Sequence, residues 1–179
     1  MRIQTQFLLI NIIGGIFVLG GYVIALINHP ETRNELWGGV PENLRPWITA
    51  FMFISAFGYC FAMYYLIFDE GLELNFFWGK FDYQIIMILL IVFLLTAALW
   101  IHTAFNYIDT GSKNLWNFVQ IELWLTGISI FFITLGLATA TGAKNTSFHF
   151  YSVLGLSVIS FHCLILDAYL WLSKFPVEH

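Results

Sequence analysis

Apolar residues run through this chain in five long stretches, at about 6–28, 46–68, 83–107, 115–138 and 147–173, separated by short polar breaks. Each stretch is twenty-odd residues with few or no charges. As a helix rising about 1.5 Å per residue, each is long enough to cross a hydrocarbon core of roughly 30 Å. The pattern predicts an all-α integral membrane bundle of five transmembrane helices, folded as one domain over residues 1–179. The breaks carry turn chemistry. Asn28-His29-Pro30 stops the first helix, because a residue before proline avoids the helical region. Pro46 fits the first turn of the second, where its missing N–H costs nothing. The links around Asp109-Thr110-Gly111 and Thr141-Gly142-Ala143 are short, so the helices they join are antiparallel neighbours. The links at 30–45 and 69–82 are longer, and Phe76-Phe77-Trp78 in the second is expected in the headgroup layer.

Composition agrees. Of 179 residues, 59% are hydrophobic and 10% charged, against roughly a quarter charged in soluble domains; mean hydropathy is +0.79. The seven cationic residues are scattered singly and the net charge is −4, which gives nucleic acid no basic surface to bind. The lipid bilayer is the expected partner. Three cationic residues fall on the N-terminal side and four on the other, so charge does not orient the chain or say which membrane holds it. The side bearing the first link is called the far side here. Cys60 and Cys163 both sit in apolar stretches and are expected as small buried hydrophobes. Gly14, Gly21 and Ala25 share a face of the first helix, and Gly58 and Ala62 one of the second. Such stripes let helices approach closely in lipid.

The few ionisable groups inside the stretches carry the candidate chemistry, since each costs roughly 2.5–3.5 kcal/mol at a helix centre. His102, Glu122 and Asp167 are expected at one depth, within about 10 Å of the far boundary. His102 heads a stripe with Asn106 and Asp109, either of which could orient its imidazole. Glu122 heads another with Thr126 and Ser129. Ser160, Cys163, Asp167 and Lys174 share a face of the fifth helix. Around them stand Trp100, Trp124 and Trp171, with Trp37 above. These residues outline a polar-floored, aromatic-walled cavity under the first link, the general form of a ligand site. The bland alternatives are an interfacial aromatic belt, a snorkelling Asp167 and histidines that merely bond neighbouring helices.

His102 and His162 are the weak candidates for axial ligation of a bound porphyrin or haem, or for a metal. At α-helical spacing His162 and Asp167 fall roughly 140° apart, which disfavours a joint site. No hydrolase, phosphate-loop or zinc signature is present. The expected role is non-enzymatic: binding or transport of a hydrophobic or amphipathic small molecule. The alternatives are a haem- or metal-binding redox subunit or an accessory subunit of a larger membrane complex, and the expected protein partners are a second copy in a homodimer or the other subunits of such a complex.

The five stretches, Trp37 and Pro41 in the first link, Pro46-Trp47 opening the second helix, Ser55-Ala56-Phe57-Gly58-Tyr59 within it and Tyr169-Leu170-Trp171 in the fifth together resemble the translocator, or tryptophan-rich sensory, protein family. Gly38-Gly39 stands where that family has paired prolines, Ala168 replaces a proline, and the asparagine-tryptophan pair of the third helix is absent. The resemblance implies a five-helix membrane fold whose first loop caps a cavity for porphyrins and, in some members, sterols.

Overall fold

The computed structural model describes residues 2–175. Among them are five helices long and apolar enough to cross a membrane: α1 (Ile3–Asn28), α2 (Arg45–Phe68), α3 (Tyr83–Thr110), α4 (Lys113–Ala138) and α5 (Thr146–Lys174). The expected spans fall inside these helices, which extend them by up to three residues at either end. Local chemistry sets several boundaries. Asp82 caps α3 by accepting from the Gln84 N–H at 3.0 Å, and Asn145 caps α5 by accepting from Phe148 at 3.1 Å. Gly111 ends α3 in the left-handed conformation, φ 66°, which glycine adopts without a side-chain clash.

The helices pack as a ring in the order α1, α3, α4, α5, α2, and the closure between α2 and α1 is slight. Its main polar tie is the Tyr59 hydroxyl, which donates to Asn11 at 2.5 Å. Small residues set the tight crossings. Gly58 of α2 and Gly155 of α5 meet backbone to backbone, so that a Cβ on Gly58 would stand 2.8 Å from the Gly155 carbonyl oxygen. Gly14 lies against Leu94 of α3, and Gly21 against His102. Hydroxyl pairs stitch the interior: Thr96 with Thr126 at 2.7 Å, and Thr134 with Ser160 at 2.6 Å. Such bonds replace the hydrophobic drive that helices lack in lipid.

On the near side the 69–82 link is fastened to the turn between α4 and α5. The Glu70 carboxylate accepts from the Lys144 and Asn145 N–H groups, both at 2.7 Å. These donors, Asn145 first, hold its carboxyl below the usual carboxylate range. Asn75 and Thr141 pair as a two-residue antiparallel bridge. Phe77 and Trp78 lie in the left-handed region, φ 50° and 58°. The Phe-Phe-Trp run divides between interior and surface. Phe76 is fully buried and Phe77 packs its ring on Gly136; only Trp78 is exposed. Cys60 likewise departs from expectation by lying on the outer surface, while Cys163 is buried.

Candidate functional site at the far end of the bundle

The last third of α5 is not an α-helix. From His162 to Trp171 the chain is a ten-residue π-helix, with hydrogen bonds running over five residues instead of four. Such segments are rare and are found frequently at functional sites. The wider turn brings residues five apart into register, which reverses the sequence expectation for His162 and Asp167. Rather than facing apart, they meet, with His162 Nε2 3.5 Å from Asp167 Oδ2. His162 is buried, its ring lies nearly parallel to that of Phe51 of α2 at 6.0 Å, and its Nδ1 has no partner among the described residues. The Asp167 side chain keeps 32% of its surface open.

Tyr22 of α1 joins the aromatic residues at this end. Its hydroxyl accepts from Trp100 Nε1 at 2.8 Å, and Trp100 stands edge-on to Trp171 at 5.7 Å. Trp171 packs against Phe175 at 4.4 Å and lies beside Trp116, which stacks on Phe175 in turn. The first link closes over them. Trp171 Nε1 donates to the Leu36 carbonyl at 2.7 Å, and the Gly39 N–H donates to the Lys174 carbonyl at 2.9 Å. Arg45 holds the link from beneath, its Nε donating to Val40 and its guanidinium 5.7 Å from the centre of the Trp37 ring.

The structure therefore gathers Trp37, Trp100, Trp171 and Asp167 at the far end, but not as walls of an open cavity. The rings fill the space by packing on one another. A shallow apolar groove of about 260 Å³ lies between α2 and the π-helix, lined by Leu44, Trp47, Ile48, Phe51, Phe161, Leu166 and Leu170. Phe51 is shared: it forms part of the groove wall and stacks on His162.

The other expected site residues lie elsewhere. His102 is exposed, with its Nε2 set against Gly21 of α1, and Asn106 is exposed too. Asp109 orients a different imidazole from the one expected: it pairs with His29 at 3.4 Å, and that ring stacks on Phe105 at 4.3 Å. Glu122 accepts from Thr103 at 3.1 Å through one oxygen, while the other is buried without a partner. It sits in the α3–α4 seam and makes no hydrogen bond or ion pair with His102 or Asp167. Trp124 lies on the outer surface, 42% exposed. His102 and His162 face different helices, so a pair of axial ligands is not assembled. Among the described residues no three histidine, cysteine or carboxylate groups stand close enough to hold a metal ion.

Sequence reading missed Tyr22 and Phe51. Tyr22 is the one hydroxyl-bearing aromatic in α1, an oddity that could have been noticed. Phe51 is one phenylalanine among many and gave no signal. A scan against protein-family models and searches of curated proteins and of solved structures find no match to this chain.

Proposed function

We propose that this chain is an integral membrane protein that binds a hydrophobic or amphipathic small molecule at the far end of its bundle. The membrane reading rests on five helices of 24 to 29 residues with mean hydropathy from 1.8 to 2.7 over their most apolar windows. Their outer faces present side chains such as Leu19, Phe57 and Trp47, each more than 70% exposed, a continuous apolar surface that suits lipid and not water.

The observation that carries the binding reading is the His162–Asp167 pair on the π-helix, beside an apolar groove whose wall Phe51 also backs the imidazole. A carboxylate that is costly at this depth and still partly open offers a polar anchor. The groove offers an apolar bed for the rest of the ligand. At about 260 Å³ it is smaller than the roughly 300–1,000 Å³ of sites that enclose a drug-sized molecule. It suits part of a ligand, the remainder lying along the outer face of α2. Porphyrin and sterol are the classes that the family resemblance suggests.

Trp47, on the groove, supplies the assay. The purified protein in mild detergent is titrated with protoporphyrin IX, reading quenching of tryptophan emission. A parallel titration uses the fluorescent sterol dehydroergosterol, reading energy transfer from tryptophan. Saturable binding of one probe, weakened at least tenfold by Asp167→Asn with the helical content retained, is the expected result. Signals that never saturate, or that saturate equally in wild type and Asp167→Asn, would sink this site.

A further inference from the structure

The outward face of α3 changes character along its length. Coming from the near side it presents Ile88, Leu95 and Leu99, each 45–57% exposed, an apolar surface of the kind that faces lipid. Beyond them the same face carries His102 and Asn106, both exposed. Positions 88, 95 and 102 are seven apart, as are 99 and 106. All five therefore share one stripe, and a seven-residue repeat keeps two helices in contact at a shallow crossing. From 88 to 106 the stripe runs about 27 Å along the axis, most of the hydrocarbon thickness. His102 stands about 12 Å back from the end of α3 at Thr110, at 1.5 Å per residue, well inside the apolar span.

Neither polar side chain is used inside its own bundle. Among the described residues neither the His102 ring nor the Asn106 carboxamide makes a hydrogen bond, and the His102 ring only rests on Gly21 of α1. The charged groups beside the stripe are already engaged. Glu122 turns into the α3–α4 seam to accept from Thr103, and Asp109 pairs with His29. What the stripe presents is thus an imidazole and a carboxamide. Lipid tails offer these groups nothing, and in membrane proteins such side chains bond across to another helix.

We infer that this stripe is the contact face of a homodimer, in which α3 crosses α3 of a second copy about a two-fold axis along the membrane normal. The inference rests on the membrane-spanning reading above and is independent of any ligand. Symmetry selects the occupant. When two copies insert the same way round, residues near the axis meet their own counterparts at the same depth. A face that pairs with itself needs groups that donate and accept at once. A carboxamide has a C=O and an NH2, and a neutral imidazole has one N–H and one bare nitrogen. Each Asn106 therefore bonds its counterpart, and each His102 its own. A carboxylate only accepts and an ammonium only donates, so neither pairs with itself, and the stripe has neither. A phosphate headgroup would instead be met by lysine or arginine, and the stripe has none.

The test uses the full chain in lipid vesicles, mixing donor- and acceptor-labelled copies and reading energy transfer as the protein is diluted with lipid. Wild type should show a dimer that dissociates on dilution. Changing His102→Leu and Asn106→Leu together leaves the stripe apolar throughout and should weaken association at least fivefold. A second arm keeps His102 in place, should that double variant fail to fold. With Cys60→Ala as background, Asn106→Cys should cross-link into a dimer on mild oxidation. Phe57→Cys, on the outer face of α2 and 75% exposed in the wild type, should not. Monomers at every dilution overturn the interface, as does undiminished association of the folded double variant. Equal cross-linking at 57 and 106 overturns it too, and so does a dimer that never cross-links at 106, the result expected of copies inserted in opposite directions. No ligand enters these assays, so loss of the dimer leaves the binding reading standing, and loss of binding leaves the dimer.

Discussion

Substituting Gly58 by alanine tests the backbone-to-backbone crossing of α2 and α5. An ideal Cβ at Gly58 would stand 2.8 Å from the Gly155 carbonyl oxygen, 2.9 Å from its Cα and 3.1 Å from its carbonyl carbon. Carbon atoms pack best about 3.5–4.0 Å apart, so the two backbones must part by roughly 0.5–1 Å there. All three obstructing atoms are backbone, which cannot swing aside as a side chain can. Overpacking of this kind costs about 1–3 kcal/mol. Alanine also favours the helix over glycine by about 1 kcal/mol, and that gain must be subtracted out.

Gly20→Ala supplies the subtraction. It lies on α1, where a Cβ meets nothing within 4 Å, so it collects the propensity gain alone. The two variants should therefore differ by the steric cost, with Gly58→Ala the less stable. At about 2–4 °C per kcal/mol for a chain of this size, their unfolding midpoints should stand about 2–12 °C apart. Far-UV circular dichroism on heating in the same detergent reads the difference. Equal midpoints for Gly58→Ala and Gly20→Ala would show that α2 and α5 do not cross at these glycines.

Two further outcomes follow from the interior and the near side. Thr134→Val removes one partner of the Thr134–Ser160 pair and should cost about 0.6–1.7 kcal/mol, the scale of inter-helix hydrogen bonds in lipid. Adding Ser160→Ala should then cost less than the sum of the single changes, and strict additivity in unfolding midpoints would deny the pair. The Glu70 carboxylate, held below its ordinary range by the Asn145 and Lys144 N–H groups, binds fewer protons when folded than when unfolded. Its contribution to the near-side clamp is therefore fully present above the ordinary carboxylate value, and is lost as pH falls through the lower folded one. Hydrogen exchange at the Lys144 and Asn145 amides, corrected for intrinsic rate, should stay slow at neutral pH and accelerate only in acid. In Glu70→Ala it should be fast throughout; slow exchange in that variant would show that something else holds the turn.

Much of the architecture was legible in the amino-acid order, because in a membrane chain the backbone must satisfy its own hydrogen bonds. Twenty apolar residues can then do little except form a helix, and proline, glycine and capping residues mark its ends. Length, spacing and turn chemistry are local properties, so the five helices and most of their boundaries could be read directly. So could the covering of the far-end aromatic residues by the first link, since Trp37 and Trp171 are near their places by topology alone.

Contacts between helices were decided only by the tertiary structure. His102, Glu122 and Asp167 stand at similar heights on three helices, yet height says nothing about rotation around each axis. His102 turned toward Gly21, Glu122 toward Thr103, and Asp167 toward His162. Aromatic spacing could not distinguish rings that wall a cavity from rings that fill it, and here they fill it. The largest revision came from helix geometry itself. Reading His162 and Asp167 at 100° per residue separated them, because α-helical pitch was assumed throughout. A π-helix over His162–Trp171 changes the angle per residue and brings the two side chains together. No residue in that stretch announces the change.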